Sequence, residues 1–222
     1  KDNQVQRILR RDGYEFINMG NWWEPTRINP NADANISGRP ISEYMLNYVQ
    51  LTPLRHFFPK DIQALCDLVE QQKAQVLKAV QSETPQFVFW HLFSVHDPYM
   101  YDENGNCFTG QRTDWNWKKR KEVYTQHINL TNDMLLKLYD EVQKQSTHDV
   151  VFAIQSDEGP YPLDYLADQS GYKFTQASQE DIDMKFGVFD AVYAPSEYNV
   201  RISGQATPIN NLRQILSVMY DT

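Results

Sequence analysis

The feature that most constrains this chain is a set of short, unbroken apolar runs. These are Phe87-Val88-Phe89-Trp90-His91-Leu92-Phe93, Val150-Val151-Phe152-Ala153-Ile154 and Val188-Phe189-Asp190-Ala191-Val192-Tyr193, with Tyr14 to Ile17 as a fourth candidate. They lack the alternation of a strand with one wet face. Strands buried on both faces read this way, and such strands belong to mostly parallel sheets covered by helices.

The covering helices are legible too. Ile62, Leu65, Cys66, Val69, Val76, Leu77 and Val80 recur at helical spacing behind Pro59, with Gln and Lys filling the other positions. A longer helix from about Lys118 to Gln145 carries Tyr124, Ile128, Thr131, Leu135, Leu138 and Val142 along one stripe. A last one opens at Thr207-Pro208, where the hydroxyl can cap free amides and proline fits the first turn, and buries Leu212, Ile215, Leu216 and Met219. Helices alternating with strands predict an α/β fold. No linker composition interrupts the pattern, so residues 1–222 read as a single domain. Residues 20–58 and 97–117, rich in Asn, Pro, Gly, Trp and Tyr, read as long ordered loops.

Hydrophobic residues at 41% supply a core, which excludes a disordered chain. A formal net charge of -8 creates no field that would gather nucleic acid or anionic lipid. No run approaches the ~18 apolar residues of a membrane span. Cys66 and Cys107 form neither a disulfide framework nor a Cys-x-x-Cys metal pattern, which leaves the redox compartment open. Lys1-Asp2-Asn3-Gln4 has neither a signal-peptide core nor an initiator methionine, so the chain reads as a piece of a longer protein.

In open α/β sheets the ligand crevice lies beyond the carboxyl ends of the strands. Ser94-Val95-His96-Asp97-Pro98-Tyr99 follows one apolar run and Gln155-Ser156-Asp157-Glu158-Gly159-Pro160 follows another. If those two strands are parallel, His96 and Asp157 emerge on one edge and can face one ligand. Asp157 and Glu158 are hard oxygen ligands suited to Mg²⁺, Mn²⁺ or Ca²⁺, although neighbours in extended chain point to opposite faces. His96 suits a borderline metal or an anionic substrate. His91 lies inside its run, where a hydrogen-bonded core histidine is the default, and His56, His127 and His148 have no acidic or cysteine neighbours at ligand spacing. Gly-x-Ser-x-Gly, Walker, Gly-x-Gly-x-x-Gly and His-Glu-x-x-His motifs are absent from the sequence. Trp22, Trp23, Trp115 and Trp117 can stack on sugars or bases, with packing in structured loops as the default reading. Asn35-Ile36-Ser37 and Asn129-Leu130-Thr131 match the glycosylation sequon.

Several segments together, in order, resemble the sulfatase-like branch of the alkaline phosphatase superfamily. They are Gly13-Tyr14-Glu15-Phe16 with Asn21-Trp22-Trp23, Phe89-Trp90-His91-Leu92 leading into Val95-His96-Asp97-Pro98-Tyr99, and Tyr124 with Asn132. Gln155 to Pro160 and Thr207-Pro208-Ile209-Asn210 with Arg213 complete the set. The resemblance implies a three-layer sandwich with a central, mostly parallel sheet. It also implies metal-dependent hydrolysis or transfer of sulfate or phosphate esters, on a glycan or lipid, by an extracytoplasmic or membrane-tethered protein. Asp157 matches the Asp of the family's Asp-His-Gly metal motif, and His96 the His of its His-x-Pro-Phe/Tyr motif, which contacts the substrate anion. His91 matches a second histidine of that segment.

Two departures stand out. Asp-His-Gly is Asp157-Glu158-Gly159 here, so a neutral nitrogen ligand has become an anionic oxygen. The family's nucleophile and first acidic ligands are expected upstream of Lys1, and Thr26 is only an imitation of that nucleophile. The expectation is therefore the C-terminal larger part of a sulfatase-like enzyme, a poor catalyst by itself, with Asp157 and Glu158 as ligands of a Mn, Mg, Ca or Zn ion and His96 and His91 on the substrate. The alternative is a catalytically inactive sulfatase-like module that binds a glycan or a protein.

Overall fold

The computed structural model of the chain describes residues 4–38, 43–56, 62–96, 99–108, 117–201 and 207–220. Pro59, Asp97, Pro98 and Trp115, singled out in the sequence, lie outside the described residues. The chain gathers into two compact units, Lys1–His148 and Asp149–Thr222.

In the first unit, helix α1 (Gln4–Arg11) buries Leu9 and stops at Gly13, whose φ of +86° is open to glycine without steric penalty. The Tyr14 N–H donates back to the Leu9 carbonyl and the Gly13 N–H to that of Arg10, closing the free carbonyls of the last turn. The chain then enters β1 (Glu15–Met19), buried from Phe16 onward as its apolar run predicts. Helix α2 (Glu24–Arg27), strand β2 (Ala34–Ile36) and helix α3 (Glu43–Gln50) follow, in a stretch that composition alone marks as loop. Helix α4 (Ile62–Ala79), strand β3 (Gln86–Trp90) and helix α5 (Trp117–Gln145) complete the unit.

The three strands form a parallel sheet in the order β2-β1-β3, with Ile17 opposite both Ala34 and Val88. Asp33 staples this sheet at its start. It accepts from the Phe16 N–H at 2.8 Å and from Arg10 at 2.6 Å, and these bonds hold its carboxyl below the usual range. The apolar face of α4 carries Leu65, Cys66 and Val69 into a core with Met100, flanked by Trp22, Trp90 and Met134.

The structure corrects the cysteine expectation: Cys66 and Cys107 are joined in a disulfide across 41 residues. The amphipathic period of α4 turns Cys66 inward. The Tyr101–Cys107 bridge folds residues 101–107 back on themselves, with Asp102 accepting the N–H groups of Asn104 and Asn106, and so returns Cys107 to the core. Helix α5 buries Leu138 and Val142 of its predicted stripe, and also Val123 and His127, the last fully buried. The imidazole Nε2 accepts from the Tyr101 N–H at 3.1 Å and Nδ1 donates to the Val123 carbonyl at 2.8 Å. Those two partners have fixed roles and specify one neutral tautomer.

The second unit holds β4 (Phe152–Gln155), α6 (Leu163–Ala167), α7 (Gln179–Phe186), β5 (Asp190–Tyr193) and α8 (Pro208–Met219). Its strands pair antiparallel, Ile154 opposite Ala191, and burial alternates along both. The expectation of doubly buried, parallel strands therefore fails here. A two-stranded ribbon has one covered face, and the run of apolar side chains does not reveal which. β3 pairs with β1 and β4 with β5, so the strands that precede His96 and Asp157 lie in different sheets. The Thr207 hydroxyl, expected to cap backbone amides of α8, accepts instead from the Asn210 side chain at 3.1 Å.

Candidate functional site

The carboxyl ends of the three parallel strands are tied together by a buried glutamine. Gln72, on α4, donates through Nε2 to the carbonyls of Gly20 at 2.6 Å and Ile36 at 3.1 Å, and accepts the Trp90 indole N–H at 2.7 Å. Gly20 follows β1, Ile36 ends β2 and Trp90 ends β3. On this braced edge the chain leaves β1 as Asn21-Trp22-Trp23 and β3 as His91-Leu92-Phe93.

Both sequence-predicted histidines of the unit gather around one ring. The Phe93 centroid lies 4.7 Å from that of His91 and 4.9 Å from that of His96, with Trp22 at 5.0 Å. Trp23 meets His91 edge-on at 5.6 Å. His91 is half-buried and oriented: its Nδ1 is hydrogen-bonded to the Thr26 hydroxyl, while its backbone carbonyl accepts from the Asn21 amide at 2.8 Å. His96 is exposed at a turn whose N–H donates to the Phe93 carbonyl at 3.2 Å. Ser94, buried between them in sequence, shares a hydrogen bond with Thr131 of α5 at 2.7 Å. An imidazole held by packing and a hydrogen bond, beside a second that reaches water, can present N–H groups to an anion.

Thr26 also lines a cleft of about 230 Å³ with Asn18, Asn29, Asn31 and Phe89. Asn35 of the first sequon is engaged nearby, accepting from the Asn29 N–H at 2.7 Å and from the Asn18 amide at 3.0 Å. The Thr26 partnership of His91 is invisible in sequence, where 65 residues separate the two.

In the second unit, Asp157 and Glu158 follow β4 in an exposed turn. Asp157 Oδ1 accepts the Glu158 N–H at 2.9 Å, which leaves Oδ2 as a hard oxygen donor. Glu158 is engaged differently: its Oε1 lies 2.6 Å from Nζ of Lys185, a side chain only 4% exposed near the end of α7. Gly159 is fixed by close approach, since a Cβ there would meet the Met184 carbonyl oxygen at 1.9 Å. Its N–H donates to the Lys185 carbonyl at 2.9 Å. Among the described residues no group of three or more His, Cys, Asp or Glu is arranged around a metal position, and the turn by itself presents one carboxylate, Asp157, that is not paired with Lys185.

Farther along the same ribbon, the Asn211 amide donates to Asp190 at 2.6 Å and to Gln155 at 3.0 Å. Asp190 Oδ1 and Asn211 Oδ1 are buried with no hydrogen-bond partner among the described residues, and burial pushes the Asp190 carboxyl up from its usual range.

No described helix is long and apolar enough to cross a membrane. Comparison with curated proteins and with solved structures finds no significant match. The family comparison is positive: residues 2–199, which span both units, match the family model described as Sulfatase. With its α/β architecture and parallel sheet, the chain belongs to the sulfatase family.

Proposed function

We propose that this chain is the larger part of one sulfatase-like domain that hydrolyses or transfers sulfate or phosphate esters. Its histidines serve the anion, and Asp157 serves the cation. The observation that supports this best is the pair His91 and His96 around Phe93, at the carboxyl end of a parallel sheet braced by Gln72, in a chain matched to the sulfatase family.

In this reading His96 donates a hydrogen bond to a non-bridging oxygen of the ester, and His91, set by Thr26, supports the same charge. Trp22 packs against Phe93 and His96, and Trp23 against His91, so the indoles hold the two imidazoles in place. A divalent cation held by Asp157 would supply positive charge to an ester oxygen and lower the pKa of a hydroxyl bound to it. Glu158, expected from sequence beside Asp157 as a ligand, has its carboxylate on Lys185. The disulfide is consistent with an oxidising, extracytoplasmic location.

The test is Asp157→Ala in the full-length enzyme, assayed on aryl sulfate and aryl phosphate esters. Turnover is expected to fall at least ~100-fold with the fold intact, because Asp157 is exposed beyond the strand. An equally active variant would remove Asp157 from the site. A wild-type protein inert on both esters, and silent to added Mn²⁺, would favour the glycan- or protein-binding module.

A further inference from the structure

Burying an ammonium requires that its charge and its three donors be met. For Lys185 the turn after β4 meets them. Glu158 Oε1 is at 2.6 Å, the Gly159 carbonyl oxygen at 3.4 Å, and the Tyr161 ring centroid at 3.3 Å. The Gly159 N–H closes the circuit onto the Lys185 carbonyl, and the Met184 carbonyl leaves no room at Gly159 for a side chain. The last turn of α7 and residues 158–161 are thus one interlocked piece. Glu158 is the part of it that carries the compensating charge.

We propose that Lys185 is the positioning residue of this turn: it takes Glu158 as its counter-ion, withdraws that carboxylate from the metal shell, and leaves Asp157 as the one carboxylate offered to a cation. The clause about Asp157 rests on the proposed function; the pairing does not.

The experiment uses the full-length protein with Glu158→Gln, Lys185→Met, the double variant, Lys185→Arg and Asp157→Ala. It reads thermal melting, hydrogen exchange at Gly159, and Mn²⁺ affinity by titration. Glu158→Gln should lower the melting temperature by at least ~5 °C, since it strands a buried ammonium, and the double variant should melt above it. Mn²⁺ affinity should stay within threefold in Glu158→Gln and fall at least tenfold in Asp157→Ala. Lys185→Met should change Mn²⁺ affinity at least fivefold and speed exchange at Gly159, while Lys185→Arg keeps both near the wild type.

A tenfold loss of Mn²⁺ affinity in Glu158→Gln, whatever its melting temperature, makes Glu158 a ligand and overturns the proposal. Strictly additive melting in the cycle, or a Lys185→Met protein with unchanged affinity and exchange, overturns it as well. If the wild type takes up no Mn²⁺, or Asp157→Ala binds it normally, the proposed metal role of Asp157 fails, and the melting cycle alone decides the pairing.

Discussion

The indole N–H of Trp90 donates to the side-chain oxygen of Gln72 at 2.7 Å, while the amide end of the same glutamine reaches the carbonyls of Gly20 and Ile36. One buried side chain thereby satisfies groups at the ends of all three parallel strands, where short strands splay apart and leave polar groups unpaired. Gln72→Leu keeps the volume and strands these partners. The expected destabilisation is about 3 kcal/mol, read as a lower denaturant midpoint at unchanged slope.

The Cys66–Cys107 bridge closes a loop of 41 residues. Loop closure of that size is worth about 4 kcal/mol through the unfolded chain on the chain-entropy account. Reduction, or Cys107→Ser, should lower the melting temperature, and the wild type with and without reductant should differ while Cys107→Ser shows no response. A wild type insensitive to reductant would contradict the bridge.

Asp190 sets a pH dependence of definite sign. Its carboxyl is raised by burial, so the native state holds the proton more tightly than the unfolded chain does. That contribution is fully present below the ordinary carboxylate pKa and is lost as pH rises through the raised folded value. Asp190→Asn abolishes the desolvated charge and offers an N–H to the unpartnered Asn211 oxygen. It should melt ~2–4 °C above the wild type at pH 7, with the difference shrinking towards pH 4. A constant difference across that range would assign the effect to packing.

The two histidines should separate by kinetics. His96→Ala removes an exposed donor, and is expected to raise KM and lower kcat together in the full-length enzyme. His91→Ala removes a half-buried ring packed on Trp23 and Phe93 and bonded to Thr26, and so should lose stability as well as activity. Thr26→Val, which leaves His91 in place without its partner, should lower kcat and shift the pH profile. An unshifted profile would confine Thr26 to packing.

Much of the frame was legible in the sequence. The apolar runs marked the cores of β1, β3, β4 and β5, and the helical periods marked α4, α5 and α8, because burial imposes a repeat on any chain that folds this way. His96 stands out for following an apolar run and His91 lies within that run, and the two do share a ring. β2 and α3 were missed, because their stretch carries loop-like composition and their order comes from pairing with β1 or from local turns.

What only tertiary structure decided is which polar groups meet. Gln72 looks like a surface glutamine on an amphipathic helix, and Lys185 like an ordinary last-turn lysine, yet both are buried. Cys66 and Cys107 look like two unrelated cysteines. Hydrophobic burial is a property of residue type and repeats along the chain, so one dimension records it. A hydrogen bond, an ion pair or a disulfide depends on two residues arriving within about 3 Å, and that distance exists only after the chain has folded.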